Sequence, residues 1–248
     1  MKAVIIGGSG FIGSKVAKFL KDAGHKVVAA SRRSGIDAVT GTGVAEAMKD
    51  ADVVIDVSNS PSFEEKDVFE FFTKSSSNAT RCAKNAGVGH YIALSIVGVD
   101  DLHTNAYFRA KVAQEEIVKN STVPYTIVRA TQFFEFLSAI AYTPGAEDVV
   151  RVSTAFLQPV ASDDVSTFIA TTALSAPKNG IVEIAGPERD QTDVIIRAYL
   201  SSKGDARNVV GDPEAEYFGA KLEPTSLVPV GEYHKGATSL SEWGKIPT

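Results

Sequence analysis

The stretch Lys2-Ala3-Val4-Ile5-Ile6-Gly7-Gly8-Ser9-Gly10-Phe11-Ile12-Gly13 stands at the start of the sequence. Its first five residues form an apolar, β-branched run that reads as a buried strand. After the glycines, Phe11, Ile12, Val16, Phe19 and Leu20 recur at helical spacing until Gly24 stops the pattern. A glycine-rich turn between strand and helix can cradle a pyrophosphate. Backbone without Cβ atoms approaches closely, and the helix N-terminus offers free N–H groups and a partial positive charge. The glycines fit G-x-G-x-x-G from Gly8 and G-x-x-G-x-x-G from Gly7, a pattern that gains its meaning from the strand–turn–helix context. Gly7, Ser9, Gly10, Phe11, Ile12 and Gly13 are therefore candidate cofactor-binding residues.

Outward from this loop, strand-like and helix-like segments alternate. Strands are expected at Lys26–Ala30, briefly at Ile36–Val39, and at Asp52–Val57, His90–Ser95 and Tyr125–Arg129. Helices are expected near Gly43–Lys49, from Phe63 to Asn85 and over Tyr107–Lys119. This rhythm implies an α/β fold of Rossmann type, a doubly wound parallel sheet with helices on both faces. Past Gln132 the rhythm loosens. A helix around Phe134–Tyr142, extended pieces near Val149–Val152 and Phe156–Val160, a helix over Asp163–Leu174, a strand at Ile181–Ala185 and a helix over Asp193–Ser202 are expected there. The tail from Gly211, with Pro213, Pro224, Pro229 and Pro247, reads as loop-rich and is expected to wrap the body. The organisation expected is one domain over 1–248, its small C-terminal substrate-side lobe lying mostly after residue 132.

With 248 residues and 44% hydrophobic content the chain can bury a large core, and a net charge of −5 argues against nucleic acid or an anionic membrane as partner. The single cysteine, Cys82, fits a reducing compartment and reads as a packed thiol. No apolar stretch reaches membrane-spanning length, and the glycines and lysines after Ile6 do not suit a signal peptide. A soluble, cytoplasmic protein with a small-molecule substrate is expected, and a homodimer is left open. The histidines His25, His90, His103 and His234 show no metal-ligand spacing.

In dinucleotide-binding folds the end of the second strand meets the adenine ribose. A carboxylate there accepts the 2′-hydroxyl of NAD, whereas arginine accommodates the 2′-phosphate of NADP. Ser31-Arg32-Arg33 occupies that place, with no carboxylate before Asp37. NADP(H) is the cofactor this favours, although a solvated basic turn would look the same in sequence. Just beyond the expected strand ends lie Ser95 and the pair Tyr107 and Lys111, four apart on one helix face. A lysine ammonium near a tyrosine stabilises phenolate, and a serine hydroxyl can polarise a carbonyl. Each could equally be structural: a helix anchor, a snorkelling cation, a turn cap.

The glycine loop, Ser95 and Tyr107-Phe108-Arg109-Ala110-Lys111 together resemble the short-chain dehydrogenase/reductase superfamily. Ala93-Leu94-Ser95-Ile96-Val97-Gly98 and Thr126-Ile127-Val128-Arg129-Ala130-Thr131-Gln132-Phe133-Phe134 resemble its atypical, NmrA-like NAD(P)-binding branch. The resemblance implies that Tyr107 is the acid/base, Lys111 its partner and a ribose ligand, and Ser95 a donor to the substrate oxygen. It also implies that Val57, Ser58 and Asn59 run along the cofactor and that Thr131 to Phe134 lie beside the nicotinamide. An NADP(H)-dependent oxidoreductase acting on a small carbonyl or quinone-like compound follows. A non-catalytic NADP(H) sensor is the alternative, and epimerisation of a nucleotide sugar a third.

Overall fold

The computed structural model describes residues 1–142 and 148–245. In chain order its elements are β1 (Lys2–Ile6), α1 (Phe11–Asp22), β2 (Lys26–Ala30), α2 (Val44–Met48), β3 (Val53–Asp56), α3 (Glu65–Asn85), β4 (His90–Ile96), α4 (Ala106–Lys119) and β5 (Tyr125–Ala130). There follow α5 (Leu137–Ile140), β6 (Val149–Val152), β7 (Phe156–Leu157), α6 (Ser162–Ala173), β8 (Gly180–Ala185), β9 (Asp190–Gln191), α7 (Thr192–Ser202), β10 (Asn208–Gly211), β11 (His234–Lys235) and α8 (Leu240–Trp243). The chain forms two compact units, one of residues 1–95, 106–129 and 165–182, the other of residues 96–105, 130–164 and 183–248.

In the first unit the strands run β8-β5-β4-β3-β1-β2, a Rossmann-type order in a mostly parallel sheet. β1 pairs with β2 from Lys2↔Lys26 to Ile6↔Ala30 and with β3 from Ala3↔Val53 to Ile6↔Asp56. A strand enclosed on both sides and both faces must be apolar throughout, and Ala3 to Ile6 are all buried. Val4, Ile6, Val54, Tyr91 and Ile127 form one core with Met48 of α2 and Ala79, Cys82 and Ala83 of α3. Val68 and Phe72 pack with Ala110 and Tyr107 in a second cluster. The weak helix formers Ser75-Ser76-Ser77 do not break α3: Ser75 and Ser76 are fully buried, and the hydroxyls of Ser75 and Thr80 donate back to Phe72 and Ser76 carbonyls.

The second unit, taken alone, holds the parallel pair β6–β10, the antiparallel pair β7–β9, and β11 against the end of β8. Trp243 of α8 packs on Phe134 and Tyr199, ring centroids 5.6 and 6.4 Å away.

Two sequence expectations need correction. The strand expected at Ile36–Val39 is a turn, because the Asp37 carboxylate accepts the Val39 and Thr40 N–H groups and draws the chain back to a single bridge with Thr42. The helix expected over Phe134–Tyr142 is a 3-10 turn, Phe134–Phe136, followed by the single turn α5. The loop-rich tail after Gly211 holds two short elements, β11 and α8, the latter behind a Ser239/Glu242 capping box. Pro247 lies outside the described residues.

The turn after β1 is where packing leaves least room. A Cβ on Gly13 would lie 2.2 Å from the Gly7 carbonyl oxygen, whereas one on Gly24, at the end of α1, would meet nothing within 4 Å. Gly13→Ala is therefore expected to lose about 1–3 kcal/mol through forced backbone movement. Gly24→Ala is expected to lose about 1 kcal/mol through its positive φ alone. Urea unfolding of the two variants measures both.

Candidate functional site

The loop between β1 and α1 closes on itself: Gly10 N–H donates to the Gly7 carbonyl at 2.8 Å, and Ser14 N–H makes the first intrahelical bond to Gly10. Gly10 caps α1 in extended conformation with no side-chain cap, and the first turn carries no acidic residue. The amides of Phe11, Ile12 and Gly13 precede that first bond and so have no intrahelical acceptor. Gly7 has φ +78, and a Cβ there would fall 2.8 Å from Ser58 Cα, so loop and β3–α3 turn meet backbone to backbone. Uncapped amides over a floor without Cβ atoms fit the diphosphate of a dinucleotide.

At the end of β2, Ser31 caps a 3-10 turn, Arg32–Ser34, with reciprocal Ser31/Ser34 hydrogen bonds. Both arginines are exposed, but their surroundings differ. The Arg33 guanidinium donates from Nη2 to the Ser9 carbonyl at 3.2 Å, which carries it onto the glycine loop. Among the described residues no hydrogen bond ties Arg32 to the loop, so Arg33 is the arginine the fold brings to the cradle.

Asp56, which ends β3 and is buried, was not singled out by sequence reasoning. Its Oδ1 accepts the Ser58 N–H and hydroxyl at 3.1 and 2.6 Å, and its Oδ2 accepts the Tyr91 hydroxyl and Gln114 Nε2 at 3.1 and 3.2 Å. It thus fixes the turn that faces Gly7 and ties it to α4. Its signal in the sequence was an acid closing an otherwise apolar strand.

Lys111 is 3% exposed. Its ammonium donates to the Leu94 carbonyl at 2.6 Å and to Gln114 Oε1, and lies over the Phe72 ring, 4.6 Å from the centroid. Burial pushes its pKa down to about 8, with the Asp56 and Glu115 carboxylates pulling the other way. Glu115 is in turn gripped at both oxygens by Arg129, at 2.9 and 2.7 Å. Tyr107, one turn before Lys111, donates its hydroxyl to Asn59 Oδ1 at 2.8 Å, and burial raises its pKa above the usual tyrosine value. The structure therefore joins Tyr107 and Lys111 on one face, but their polar atoms hold different partners. Ser95, near the end of β4, is 3% exposed, and its hydroxyl has no hydrogen-bond partner among the described residues. The lysine's bond to Leu94 ties α4 to the residue preceding Ser95.

In the second unit, Thr131 donates its hydroxyl to the Gln158 carbonyl at 2.6 Å, and Phe133 stacks on Phe136. The Gln132 side chain bonds Tyr217, leaving its buried Oε1 unpartnered. No helix among the described residues is long and apolar enough to cross a membrane, and no cluster of acidic, histidine or cysteine side chains there could hold a metal ion.

These features form a candidate dinucleotide-binding site on a Rossmann-type sheet. Residues 7–175 match the model of the NAD(P)H-binding family, and the chain belongs to that family. It is 27% identical over 96% of its length to a chloroplastic divinyl chlorophyllide a 8-vinyl-reductase of Cucumis sativus, 68% of which is covered. A dTDP-4-dehydrorhamnose reductase structure from Clostridium acetobutylicum shares its fold at TM-score 0.76 and 18% identity, covering 92% of this chain and 90% of the other. A Bacillus anthracis dTDP-4-dehydrorhamnose reductase in complex with NADP aligns at TM-score 0.70 and 14% identity, covering 99% and 93%.

The buried ammonium has a consequence for stability. With a folded pKa near 8 and an unfolded one near 10.5, the unfolded chain binds more protons between those values. Stability attributable to Lys111 must therefore rise with pH across that window, by at most about 1.4 kcal/mol per pH unit for one proton. Lys111→Met is expected to remove this rise, seen as a wild-type-minus-variant unfolding free energy that increases from pH 8 to pH 10.

Proposed function

We propose that this protein is an NADP(H)-dependent reductase of the NmrA-like kind that transfers hydride to a small carbonyl or quinone-like substrate. The observation that carries the proposal is the Ser95 hydroxyl, buried and unpartnered at the carboxyl end of β4. Such a group costs about 1–3 kcal/mol unless something arrives to bond it. In open α/β sheets the ligand lies at the carboxyl ends of the strands, so a substrate oxygen is the fitting partner.

The amides of Phe11, Ile12 and Gly13 would hold the diphosphate, Ser31 and Arg33 the adenosine 2′-phosphate, with Arg32 beside them in the same basic turn, and the backbone of Val57 and Ser58 would border the cofactor. When bound, the reduced nicotinamide supplies the hydride. Ser95 Oγ donates to the substrate oxygen and polarises the carbonyl. Tyr107, kept neutral by burial, gives its hydroxyl proton to that oxygen as negative charge develops there. Lys111 acts from below, its ammonium fixed against Leu94 and Gln114. The ring of Phe63, 75% exposed and 5.9 Å from the Tyr107 ring, offers an apolar surface beside the acid and supports a flat, quinone-like compound. The named activities of the relatives, both reductases, support the direction of transfer. A cofactor sensor would need neither an orphaned hydroxyl nor a protonated phenol at the strand ends.

A panel of aldehydes, ketones and quinones is expected to contain compounds that oxidise NADPH. Tyr107→Phe should then lower kcat about 100-fold or more, the scale of a lost general acid, with NADPH affinity nearly intact. Arg33→Ala should weaken NADPH about tenfold or more and leave NADH unchanged, read by calorimetric titration. Arg32→Ala should have the smaller effect. Unaltered turnover by Tyr107→Phe would remove that residue from the chemistry.

A further inference from the structure

The turn between β3 and α3 is held by a succession of side-chain oxygens, each accepting a backbone N–H just ahead of it. Asp56 takes Ser58, Asn59 takes Ser60, Ser60 takes Ser62 and Ser62 takes Glu64, at 3.1, 3.0, 3.2 and 3.1 Å. The Ser62 hydroxyl also donates to Asp67 in α3, at 3.0 Å. Both ends of the turn are therefore fixed, one on a buried carboxylate and the other on a helix. What this presents toward α4 is Asn59 Oδ1, which accepts the Tyr107 hydroxyl at 2.8 Å.

The Tyr107 ring has little freedom of its own. Phe72 meets it edge-on at 5.6 Å, and Phe63, from the same turn as Asn59, lies at 5.9 Å. The direction of the O–H bond is the freedom that remains, and a hydrogen-bond acceptor sets it. The ammonium of Lys111 cannot take that part, because it has no acceptor, and its donors are directed at Leu94 and Gln114 while its charge lies over the Phe72 face. An amide oxygen accepts the phenol's hydrogen bond but is far too weak a base to take its proton. It favours the neutral phenol over phenolate, and yields to a stronger acceptor such as a developing alkoxide.

We infer that Asn59 is the positioning residue for Tyr107, accepting the phenol's hydrogen bond while the Lys111 ammonium is engaged elsewhere. The inference rests on the reductase reading for its kinetic consequence, but the hydrogen bond itself can be tested without turnover. Asn59 holds the Tyr107 hydroxyl oxygen in place with its proton on it, and that single proton turns from Asn59 to the substrate oxygen as negative charge develops there. The residue is exposed, which makes it a site where substitution leaves the core undisturbed.

The experiment combines Asn59→Ala, Asn59→Asp, Tyr107→Phe and the Asn59→Ala/Tyr107→Phe double variant. Proteins carrying ¹³Cζ-labelled tyrosine are used for NMR, with the Tyr107 signal assigned by its loss in Tyr107→Phe. Asn59→Ala is expected to shift that signal and to lower kcat about tenfold, the scale of one lost hydrogen bond, while KM for NADPH stays within about twofold. Asn59→Asp keeps an oxygen acceptor but adds a charge that disfavours phenolate further, so it is expected to retain the hydrogen bond without restoring kcat. In the Tyr107→Phe background, Asn59→Ala is expected to cost nothing further. An unmoved ¹³Cζ signal in Asn59→Ala would overturn the inference, whether or not any substrate is turned over. So would independent, multiplying losses in the double variant. Absence of turnover across the substrate panel combined with a shifted signal would instead overturn the reductase reading and leave the Asn59–Tyr107 contact standing.

Discussion

The site depends on a steric constraint: where β1 ends there is no room for a methyl group. A Cβ on Gly7, Gly8 or Gly13 would come within 2.8, 2.7 and 2.2 Å of backbone atoms of Ser58, Ala29 and Gly7 respectively. The turn after β1 therefore lies flat on β2 and on the turn after β3, and three parallel strands end at one place. Everything with chemistry in the first unit is arranged at that edge or on the helix that borders it. The uncapped amides of α1 point there because no side chain caps the helix. Arg33 reaches it by bonding the Ser9 carbonyl.

Asp56 is the electrostatic counterpart of that constraint. A carboxylate buried at the end of a central strand needs donors on every side, and it has the Ser58 amide and hydroxyl, Tyr91 and Gln114. Gln114 passes the connection to Lys111, whose charge is compensated by hydrogen bonds and an aromatic face rather than by a direct ion pair. The cofactor-side turn and α4 are thereby joined twice, through Asp56–Gln114–Lys111 inside and through Asn59–Tyr107 at the surface. Fixing both elements matters for a proton transfer, since a misplacement of the acid by an ångström costs rate steeply.

The fold was legible because its signals are local. Apolar runs such as Lys2–Ile6 and Lys26–Ala30 form the strands expected of them to the residue, and the helices after them start and stop near their glycines. Ile36–Val39 misled because β-branched residues at both ends hid Asp37, whose carboxylate makes the turn. Past Gln132 the elements are short and paired across long stretches of chain, as β6 is with β10, and no local period announces them. The glycine loop and the Tyr107/Lys111 face were readable from spacing. The partners of those side chains were not, because Asn59, Gln114 and Leu94 are brought to them only by tertiary packing. Spacing could place Lys111 one turn from Tyr107, yet could not say that its ammonium turns inward.

The central claim is that a phosphorylated dinucleotide lies across the strand ends with its diphosphate on the α1 amides. The most direct measurement is a crystal structure grown with excess NADPH. Density for the diphosphate against residues 11–13, with the 2′-phosphate at Arg33, is the result this account predicts. NADPH bound elsewhere on the chain, with the glycine loop left bare, would contradict it.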